Sequence, residues 1–459
     1  MINNENLNLI KPYLKGIESY LVGGFVRDYF MNKISFDCDI AVSCNNVGNF
    51  VKNIADKIGA TFVPLHEDFE IFRIVLSDKK NYFDFAKIEG KDILEDLSRR
   101  DLTINAIAYD INKNKFLDPY EGIEDIKKKV IKVFSEKNII DDPLRIMRVF
   151  RFASTLEFKI EPQTIEIIKK YHSLVKKTAK ERVTYELVKM FGGKGVSNII
   201  LKMDETNVLE EIFPYFKEIK KIPNNSHHHL DLFNHLTESV NQIEKIISEQ
   251  NQEVKNYFDE NFGSDKRISY LKLSAFLHDW GKPSTWVIEP DTGRHRFIGH
   301  DNVGAEMIKP VLKDLKFSQK QIEYISDMIK YHIYPSQLVS DPNLSEKAKL
   351  RFYNKLKDNV IDLIMIAHAD RNSALGPMVT KEMVENNKKG LESLLDDYFV
   401  ERKRLKDLTP LLNGREIMKI LDMPQGKELG DIVRALYKAQ IEKLISTKDE
   451  AIEFVKKLK

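Results

Sequence analysis

Two aspartates separated by one residue, Asp37 and Asp39, are the first side chains in this sequence that suggest a chemical function. Their segment alternates as a β-strand does, and residues i and i+2 of a strand point to the same face. Neighbouring carboxylates repel each other unless a cation lies between them, and Mg²⁺ prefers oxygen ligands and substrate phosphates. With Asp84 in a further predicted strand, they predict a Mg²⁺ site that activates a hydroxyl and stabilises a leaving pyrophosphate. A solvated strand end is the simpler alternative.

A glycine pair precedes these carboxylates. Tyr20–Val22 is a predicted strand that continues through Gly23 and Gly24 into a predicted helix containing Arg27. Glycine allows backbone N–H groups to approach a phosphate closely, and a helix N-terminus adds positive potential. The pair alone is typical of any strand-to-helix turn. Together with the carboxylates it predicts a nucleotide-binding turn.

A second group of residues suggests a metal centre, because nine of the eleven histidines lie between His227 and His368. Histidine is the commonest metal ligand, and a mixture of imidazole and carboxylate suits Mn, Fe, Ni, Co or Mg. Structural histidines in the core or at helix ends are the alternative. His227, His228, His229 and His368 are interpreted as structural or as supporting the ligands. The candidate ligands are His235, His278, Asp279, His300, His332 and Asp370.

Two kinds of element must position these residues. Strand-like and helix-like segments alternate over residues 18–135, with predicted strands at 20–22, 36–42, 69–76 and 82–86. Helical patterns continue from Asp142 to the end. The segment 222–226, Ile-Pro-Asn-Asn-Ser, is the best candidate for a linker. The length of 459 residues, 42% of them hydrophobic, is enough for about three domains of ~150 residues.

Composition excludes some classes of protein. The net charge of +2 neither requires nor excludes a nucleic-acid partner. Two cysteines, Cys38 and Cys44, cannot form a disulfide framework, which favours a reducing cytoplasm. The first residues are too polar for a signal peptide, and we expect no membrane association because no run of 18 apolar residues occurs.

Five motifs in order resemble those of class II tRNA nucleotidyltransferases and bacterial poly(A) polymerases, which belong to the DNA polymerase β superfamily. The first contains the glycine pair and the two aspartates, and the others resemble the ribose-reading, hinge, nucleotide-selecting and bracing motifs. The match covers residues 18–215. The segments are 21–42, 99–106, 118–125, 141–152 and 181–186.

This resemblance implies template-independent addition of nucleotides from CTP and ATP to the 3′ end of tRNA. It assigns Arg100, Asp101 and Asn105 to the ribose, and Asp142, Arg145 and Arg148 to the nucleotide-selecting helix. Asp142 and Arg145 are three residues apart and share a helix face, where acceptor and donor groups together satisfy a base edge. Asp142 before Pro143 is equally typical of a helix N-cap. The family usually has Glu where Asp141 stands.

The histidine-rich region resembles HD-family phosphohydrolases, with His278-Asp279 as the HD pair. We therefore predict an α+β nucleotidyltransferase head with a mixed sheet, followed by mostly all-α domains. The cofactors are Mg²⁺ in the head and a divalent transition metal or Mg²⁺ in the HD site. The predicted head covers residues 1–140, and a basic neck at 141–222 selects the nucleotide and binds RNA. An HD domain follows at 227–375, and a helical tail at 376–459 is a candidate for RNA binding.

The segment joining Asp84 to Arg99 is short. Relatives that add the whole CCA end carry an extended flexible stretch there, and a shortened one is typical of enzymes that add only part of it, notably CC. We slightly favour this restricted outcome. A poly(A) polymerase, an HD phosphohydrolase whose head only positions RNA, and a non-catalytic RNA-binding protein are the alternatives.

Overall fold

A computed structural model describes residue 2, residues 5–35 and residues 37–458, without the side chains of Glu5 and Asp37. Within these residues the chain divides into two compact units. The first, here called the transferase unit, runs through Lys217 and includes Asn261–Tyr270 and Val311–Ser318. The second, the helical unit, comprises Glu218–Glu260, Leu271–Pro310 and the residues from Gln319 onward. The four domain boundaries proposed above stay a prediction.

A seven-stranded mixed sheet in the described part of the transferase unit confirms the predicted fold class. Its order is β3-β4-β5-β2-β1-β6-β7, in which β2 and β5 are parallel and the other neighbours antiparallel. The glycine turn follows β1, and the paired aspartates lie on the neighbouring strand β2, at the centre of the sheet. The strands are β1 (Ser19–Val22), β2 (Asp37–Val42), β3 (Thr61–His66), β4 (Ile71–Val75), β5 (Tyr82–Lys87), β6 (Ala108–Asp110) and β7 (Lys115–Leu117).

Helices flank this sheet and then continue beyond it, because apolar residues recur at helical spacing after Asp142. The helices up to the end of the transferase unit's first segment are α1 (Glu5–Ile10), α2 (Gly24–Phe30), α3 (Val47–Ile58), α4 (Ile93–Ser98), α5 (Gly122–Lys128), α6 (Glu136–Asp141), α7 (Leu144–Leu156), α8 (Pro162–Tyr171), α9 (Lys180–Phe191), α10 (Val196–Glu205), α11 (Val208–Ile212) and α12 (Phe216–Ile219). A parallel pair, β8 (Val130–Ile131) and β9 (Lys159–Ile160), joins residues on either side of α7.

The remaining chain is almost wholly helical, as expected. Its helices are α13 (Leu232–Glu249), α14 (Gln252–Asp259), α15 (Arg267–Leu277), α16 (Lys282–Thr285), α17 (His300–Asp314), α18 (Gln319–Tyr331), α19 (Tyr334–Val339), α20 (Glu346–Leu356), α21 (Val360–Ser373), α22 (Lys381–Asp407), α23 (Gly414–Leu421), α24 (Lys427–Ile441) and α25 (Lys448–Lys456). Two short hairpins interrupt them, namely β10 (Asn261–Phe262) with β11 (Asp265–Lys266), and β12 (Val287–Ile288) with β13 (His295–Arg296). None of the helices described is both long and apolar enough to cross a membrane.

The last three helices have a core of their own. Ten buried apolar residues between Leu412 and Val455 pack together, with Ile417 and Ala451 fully buried. Capping boxes at Asn413 and Thr447 begin α23 and α25, because each side chain accepts from the backbone while a glutamate three residues later accepts from the cap. The glycine at 414 therefore lies at the first position of a capped helix.

Candidate active site and metal centre

The sheet register brings the predicted carboxylates together in the transferase unit. Asp39 lies opposite Val22 of β1 on one side and opposite Asp84 of β5 on the other. Directly opposite residues of paired strands share a face, so Asp39 and Asp84 are neighbours. The side chain of Asp37 lies outside the described part of the chain, and its assignment stays a prediction from the strand alternation.

The glycine turn packs against this pair. Gly23 has φ +69°, a left-handed conformation that side chains rarely adopt, and it leads into α2. A Cβ atom on Gly23 would lie 3.0 Å from Asp39 Oδ2 and 3.3 Å from Arg100 Nη1. The glycine turn, a carboxylate and an arginine of the ribose-reading motif therefore meet at one point.

We expect Gly23→Ala to reduce nucleotidyl transfer by at least about tenfold, because the new methyl group must push the Asp39 carboxylate or Arg100 aside. Gly59→Ala is a matched control, since Gly59 also has positive φ, +67°, but has open space around its Cα. It should lose about 1 kcal/mol of stability and keep its rate. Thermal melts and single-turnover rates distinguish the two. Equal rates in both variants would contradict the close approach.

A buried polar network links the ribose-reading motif to α7 and α9. Arg27 Nη1 donates to Asn105 Oδ1 at 2.9 Å, and Asn105 Nδ2 donates to Asp101 Oδ1 at 2.9 Å. Arg148 pairs with Asp101 at 2.7 Å and with Glu186 at 3.2 Å. Burial opposes ionisation of Asp101, but attraction to Arg148 and its hydrogen bonds outweigh burial and lower the pKa of its carboxyl. The network holds Asp101 as an ionised acceptor.

The predicted base-reading residues already have protein partners. One oxygen of Asp142 accepts from the Leu144 amide at 3.2 Å, as the N-cap interpretation requires, and the other pairs with Arg182 at 3.1 Å. Arg145 donates to the backbone carbonyls of Asn138 and Arg99. These contacts occupy part of the hydrogen-bonding capacity of both side chains.

The short segment before Arg99 is packed rather than open. It contains α4, whose Ile93 and Leu97 are buried at 4% and 0% exposure in a core shared with β1 and β6. Asp92 caps the helix by accepting from the Glu95 amide at 3.0 Å. Arg99 pairs with Glu89 within the same segment. Ile93 and Leu97 therefore attach the segment to the sheet, whereas Leu94 and the Arg99–Glu89 pair are exposed.

In the helical unit, the predicted metal ligands converge on one buried carboxylate, Asp279. Asp279 Oδ2 lies 3.3 Å from the Nε2 atoms of His235 and His278. Its Oδ1 lies 3.1 Å from His300 Nε2 and 3.6 Å from His332 Nε2. Asp370 Oδ1 adds contacts of 3.2 and 3.5 Å to His235 and His278. The six predicted residues therefore form two adjacent donor groups that share Asp279. The first group is His235, His278 and Asp370 with Asp279 Oδ2, and the second is His300 and His332 with Asp279 Oδ1.

The imidazoles of His235, His278, His300 and His332 all turn Nδ1 towards a backbone carbonyl and Nε2 towards Asp279. Their Nδ1 atoms face the backbone carbonyls of Ser373, Ala275, Phe297 and Ile329, at 3.3, 2.8, 2.7 and 2.6 Å. An Nδ1 that donates leaves the lone pair on Nε2, yet the Nε2 atoms face each other in pairs at 3.2 and 3.4 Å. Facing lone pairs repel unless a metal ion, or a proton on one ring of the pair, lies between them. This donor set fits metal ions, and the carbonyls are the orienting groups expected around metal-binding histidines.

Burial and neighbouring charges shift the pKa values of His278 and His332 in opposite directions. Burial opposes protonation of His278, but attraction to Asp279 and Asp370 outweighs burial and raises its pKa to about 10. For the neighbouring His332, burial and the charge of His278 lower the pKa to about 3. Such opposite shifts in adjacent rings are typical of a functional site.

Sequence reasoning did not name Lys282, and it interpreted His228 only as structural or as supporting the ligands. His228 lies close to His235, Asp279 and Asp370, and Lys282 Nζ pairs with Asp279 Oδ2 at 2.5 Å. Lys282 also lies 3.3 Å from His228 Nε2. The lysine follows the His-Asp pair by three residues on a helical turn, so spacing could have indicated it. His228 had no signal beyond its residue type.

Three family profiles match the chain. Residues 19–132 match the Poly A polymerase head domain, residues 157–220 match a probable RNA- and SrmB-binding site of polymerase A, and residues 297–455 match tRNA nucleotidyltransferase domain 2. The matched segments include parts of both compact units, and residues 133–156 and 221–296 lie between them.

Two curated relatives match over nearly the whole length. The A-adding tRNA nucleotidyltransferase of Deinococcus radiodurans is 30% identical over 442 residues, covering 95% of this chain and 94% of the relative. The CC-adding tRNA nucleotidyltransferase of Thermus thermophilus is 27% identical, covering 97% and 94%. The solved Thermotoga maritima CCA-adding enzyme in complex with tRNA has a TM-score of 0.63 at 22% identity, covering 99% of this chain and 95% of that one, which shows a shared fold.

Proposed function

This chain belongs to the tRNA nucleotidyltransferase family, and from that premise we propose that it extends the 3′ end of tRNA with nucleotides from CTP or ATP, without a nucleic-acid template. The full-length relationship to the Deinococcus radiodurans enzyme carries this conclusion. The juxtaposition of Asp39, Asp84 and Gly23 supports it, because the carboxylates lie beside a phosphate-binding turn.

We assign the residues as follows. Asp37, Asp39 and Asp84 are the candidates to hold Mg²⁺, which when bound activates the 3′-hydroxyl of the RNA and neutralises the leaving pyrophosphate. Asp101, kept ionised by Arg148, accepts from a ribose hydroxyl. The turn at Gly23 and Gly24 brings backbone N–H groups to the phosphates. Arg27 and Asn105 fix the orientation of Asp101.

For base selection, we propose that Asp142 and Arg145 form the base-reading pair. At present Asp142 pairs with Arg182, and Arg145 donates to the carbonyls of Asn138 and Arg99. When a nucleotide binds, these contacts are exchanged for contacts with the base edge, which makes nucleotide binding an induced fit.

We propose further that the enzyme adds only part of the CCA end. Switching from CTP to ATP requires a movable element near the base-reading pair. The packed segment around α4 argues against such movement. The two curated relatives reported above are named A-adding and CC-adding, whereas the structural neighbour from Thermotoga maritima, at 22% identity, is named CCA-adding.

The test is product length. Purified protein is given tRNA transcripts ending before CCA, after C and after CC, with CTP, ATP or both, and the 3′ ends are sequenced. We expect extension of one class of transcript only, either by CC or by a single A. Complete CCA on the shortest transcript, at the rate of the first C, would refute the restriction. A long A tail would instead indicate a poly(A) polymerase.

We propose a second activity, an HD-type metal-dependent phosphohydrolase, for the helical unit. The observation that favours it is the pair of donor groups sharing Asp279, with Lys282 beside them to bind a phosphate. Metal ions bound there would activate a water molecule for attack on phosphorus. Hydrolysis of a chromogenic phosphodiester, dependent on added Mn²⁺ or Ni²⁺ and abolished by chelation, tests the activity.

The remaining assignments follow from these two. We propose that residues 227–375 form the HD domain and that residues 376–459, with their own core from Leu412, form a tail that contacts RNA. We also propose a cytoplasmic location, since tRNA is the substrate and two cysteines, Cys38 and Cys44, are too few for a disulfide framework.

A further inference from the structure

The third carboxylate of the transferase site is clamped by an arginine. Arg73 of β4 lies opposite Asp84 of β5, and its Nε and Nη2 atoms donate to Asp84 Oδ1 and Oδ2, both at 2.7 Å. This is the two-pronged geometry in which a guanidinium matches a carboxylate. The Arg73 side chain is 30% exposed and that of Asp84 is 16% exposed, so the ion pair is largely but not fully shielded from water.

Arg73 is itself held in place. Its guanidinium carbon lies 3.8 Å from the centre of the Tyr82 ring, which belongs to the same strand as Asp84. A guanidinium stacked on an aromatic face loses little further freedom when it binds a carboxylate. The stacking therefore fixes the direction from which Arg73 reaches Asp84, and with it the orientation of the carboxylate.

The Arg73–Asp84 ion pair, here called the clamp, lies directly beside Asp39 in the sheet. Arg73, Asp84 and Asp39 occupy successive positions across β4, β5 and β2, so they share one face of the sheet. Asp39 and Asp84 repel each other, and the positive charge of Arg73 offsets that repulsion. A carboxylate offers about four lone-pair positions, and the guanidinium occupies two of them, which leaves the others for a metal ion or a hydroxyl.

We propose that Arg73 is a positioning residue for nucleotidyl transfer, which fixes the carboxylate of Asp84 beside Asp39 and acts on the reaction only through Asp84. Arg73 sets the rate of the chemical step and leaves substrate affinity unchanged.

The experiment is a double-mutant cycle in the full-length protein, using Arg73→Met, Asp84→Asn and their combination. Single-turnover rates and apparent KM values for CTP and ATP are measured with tRNA transcripts. Arg73→Met alone should lower the rate by about tenfold, as loss of a group orienting a ligand does, with KM unchanged. In the Asp84→Asn background the same change should have almost no further effect.

Three further measurements complete the test. Arg73→Lys, which keeps the charge but not the paired hydrogen bonds, should recover part of the rate. Lys87→Met is the matched control, because Lys87 pairs with Glu70 at 2.7 Å on the same sheet but lies outside the site. It should keep the full rate. Circular dichroism of every variant verifies folding.

Two results would overturn the proposal. A rate for Arg73→Met equal to that of Lys87→Met would show that the clamp is unnecessary. The second result is a double variant whose rate loss equals the product of the two single losses, together with a raised KM for Arg73→Met. It would show that Arg73 contacts a substrate independently of Asp84.

Discussion

Replacing Asp39 by asparagine should slow nucleotide addition by about a thousandfold, equivalent to about 4 kcal/mol of transition-state stabilisation. Asparagine keeps the shape of the side chain, so the contact with the Gly23 turn survives. It removes the negative charge that we propose holds the metal ion. The rate is measured in a single turnover with labelled CTP or ATP.

The affinity for tRNA should stay nearly unchanged in this variant, because RNA affinity comes mainly from basic residues that contact phosphates. A gel-shift titration measures it. Glu70→Gln is the control, since Glu70 is a carboxylate beside the same sheet, paired with Lys87 and remote from the glycine turn. A rate for Asp39→Asn within tenfold of the unaltered protein would refute the metal-binding role.

The sequence predicted the strands that carry the chemistry and missed those that do not. The predicted strands at 20–22, 36–42, 69–76 and 82–86 correspond to β1, β2, β4 and β5, apart from residue 36, which is not described. β3 was missed because Pro64 removes a backbone donor, which a strand tolerates only at a sheet edge, where β3 lies. β6 and β7 are three residues long and too short to show alternation.

The candidate site was predictable as a set of residues but not as a set of contacts. Sequence motifs indicated Asp101 and Arg148 separately, and their ion pair depends on a separation of 47 residues that local spacing cannot encode. The same holds for Arg73 and Asp84, which meet only through the register of β4 and β5. Long-range pairing is a property of the sheet and the helix packing, whereas periodicity reports only on one element at a time.

The histidine cluster illustrates the same limit. Order and residue type indicated the six candidate ligands, but not their shared carboxylate or their ring orientation. For His278, His300 and His332 the orienting carbonyl lies three residues earlier in the chain, and for His235 it belongs to Ser373 of α21. These carbonyls leave no trace in the sequence, because every residue has one. The division into two donor groups therefore needed the structure.

The second large effect is expected at that shared carboxylate. Asp279→Asn should lower the affinity of the helical unit for Mn²⁺ or Ni²⁺ by more than about a hundredfold, because losing even an orienting group around a metal costs 10–100-fold. Both donor groups lose their common anion, so both sites should empty. Metal content by mass spectrometry and phosphodiester hydrolysis should fall together. Nucleotide addition should persist, since its residues belong to the transferase unit.

A second variant separates loss of metal from loss of folding. Asp279→Asn leaves Lys282 buried without its ion pair, which destabilises the helical unit. His300→Gln avoids this problem, because His300 is 15% exposed and contacts only the Oδ1 side of Asp279. If each donor group binds one ion, the unaltered protein should bind about two ions per chain and His300→Gln about one. His172→Gln, outside the cluster, should keep the full content. Undiminished metal in both Asp279→Asn and His300→Gln would refute the metal centre, whatever happens to hydrolysis.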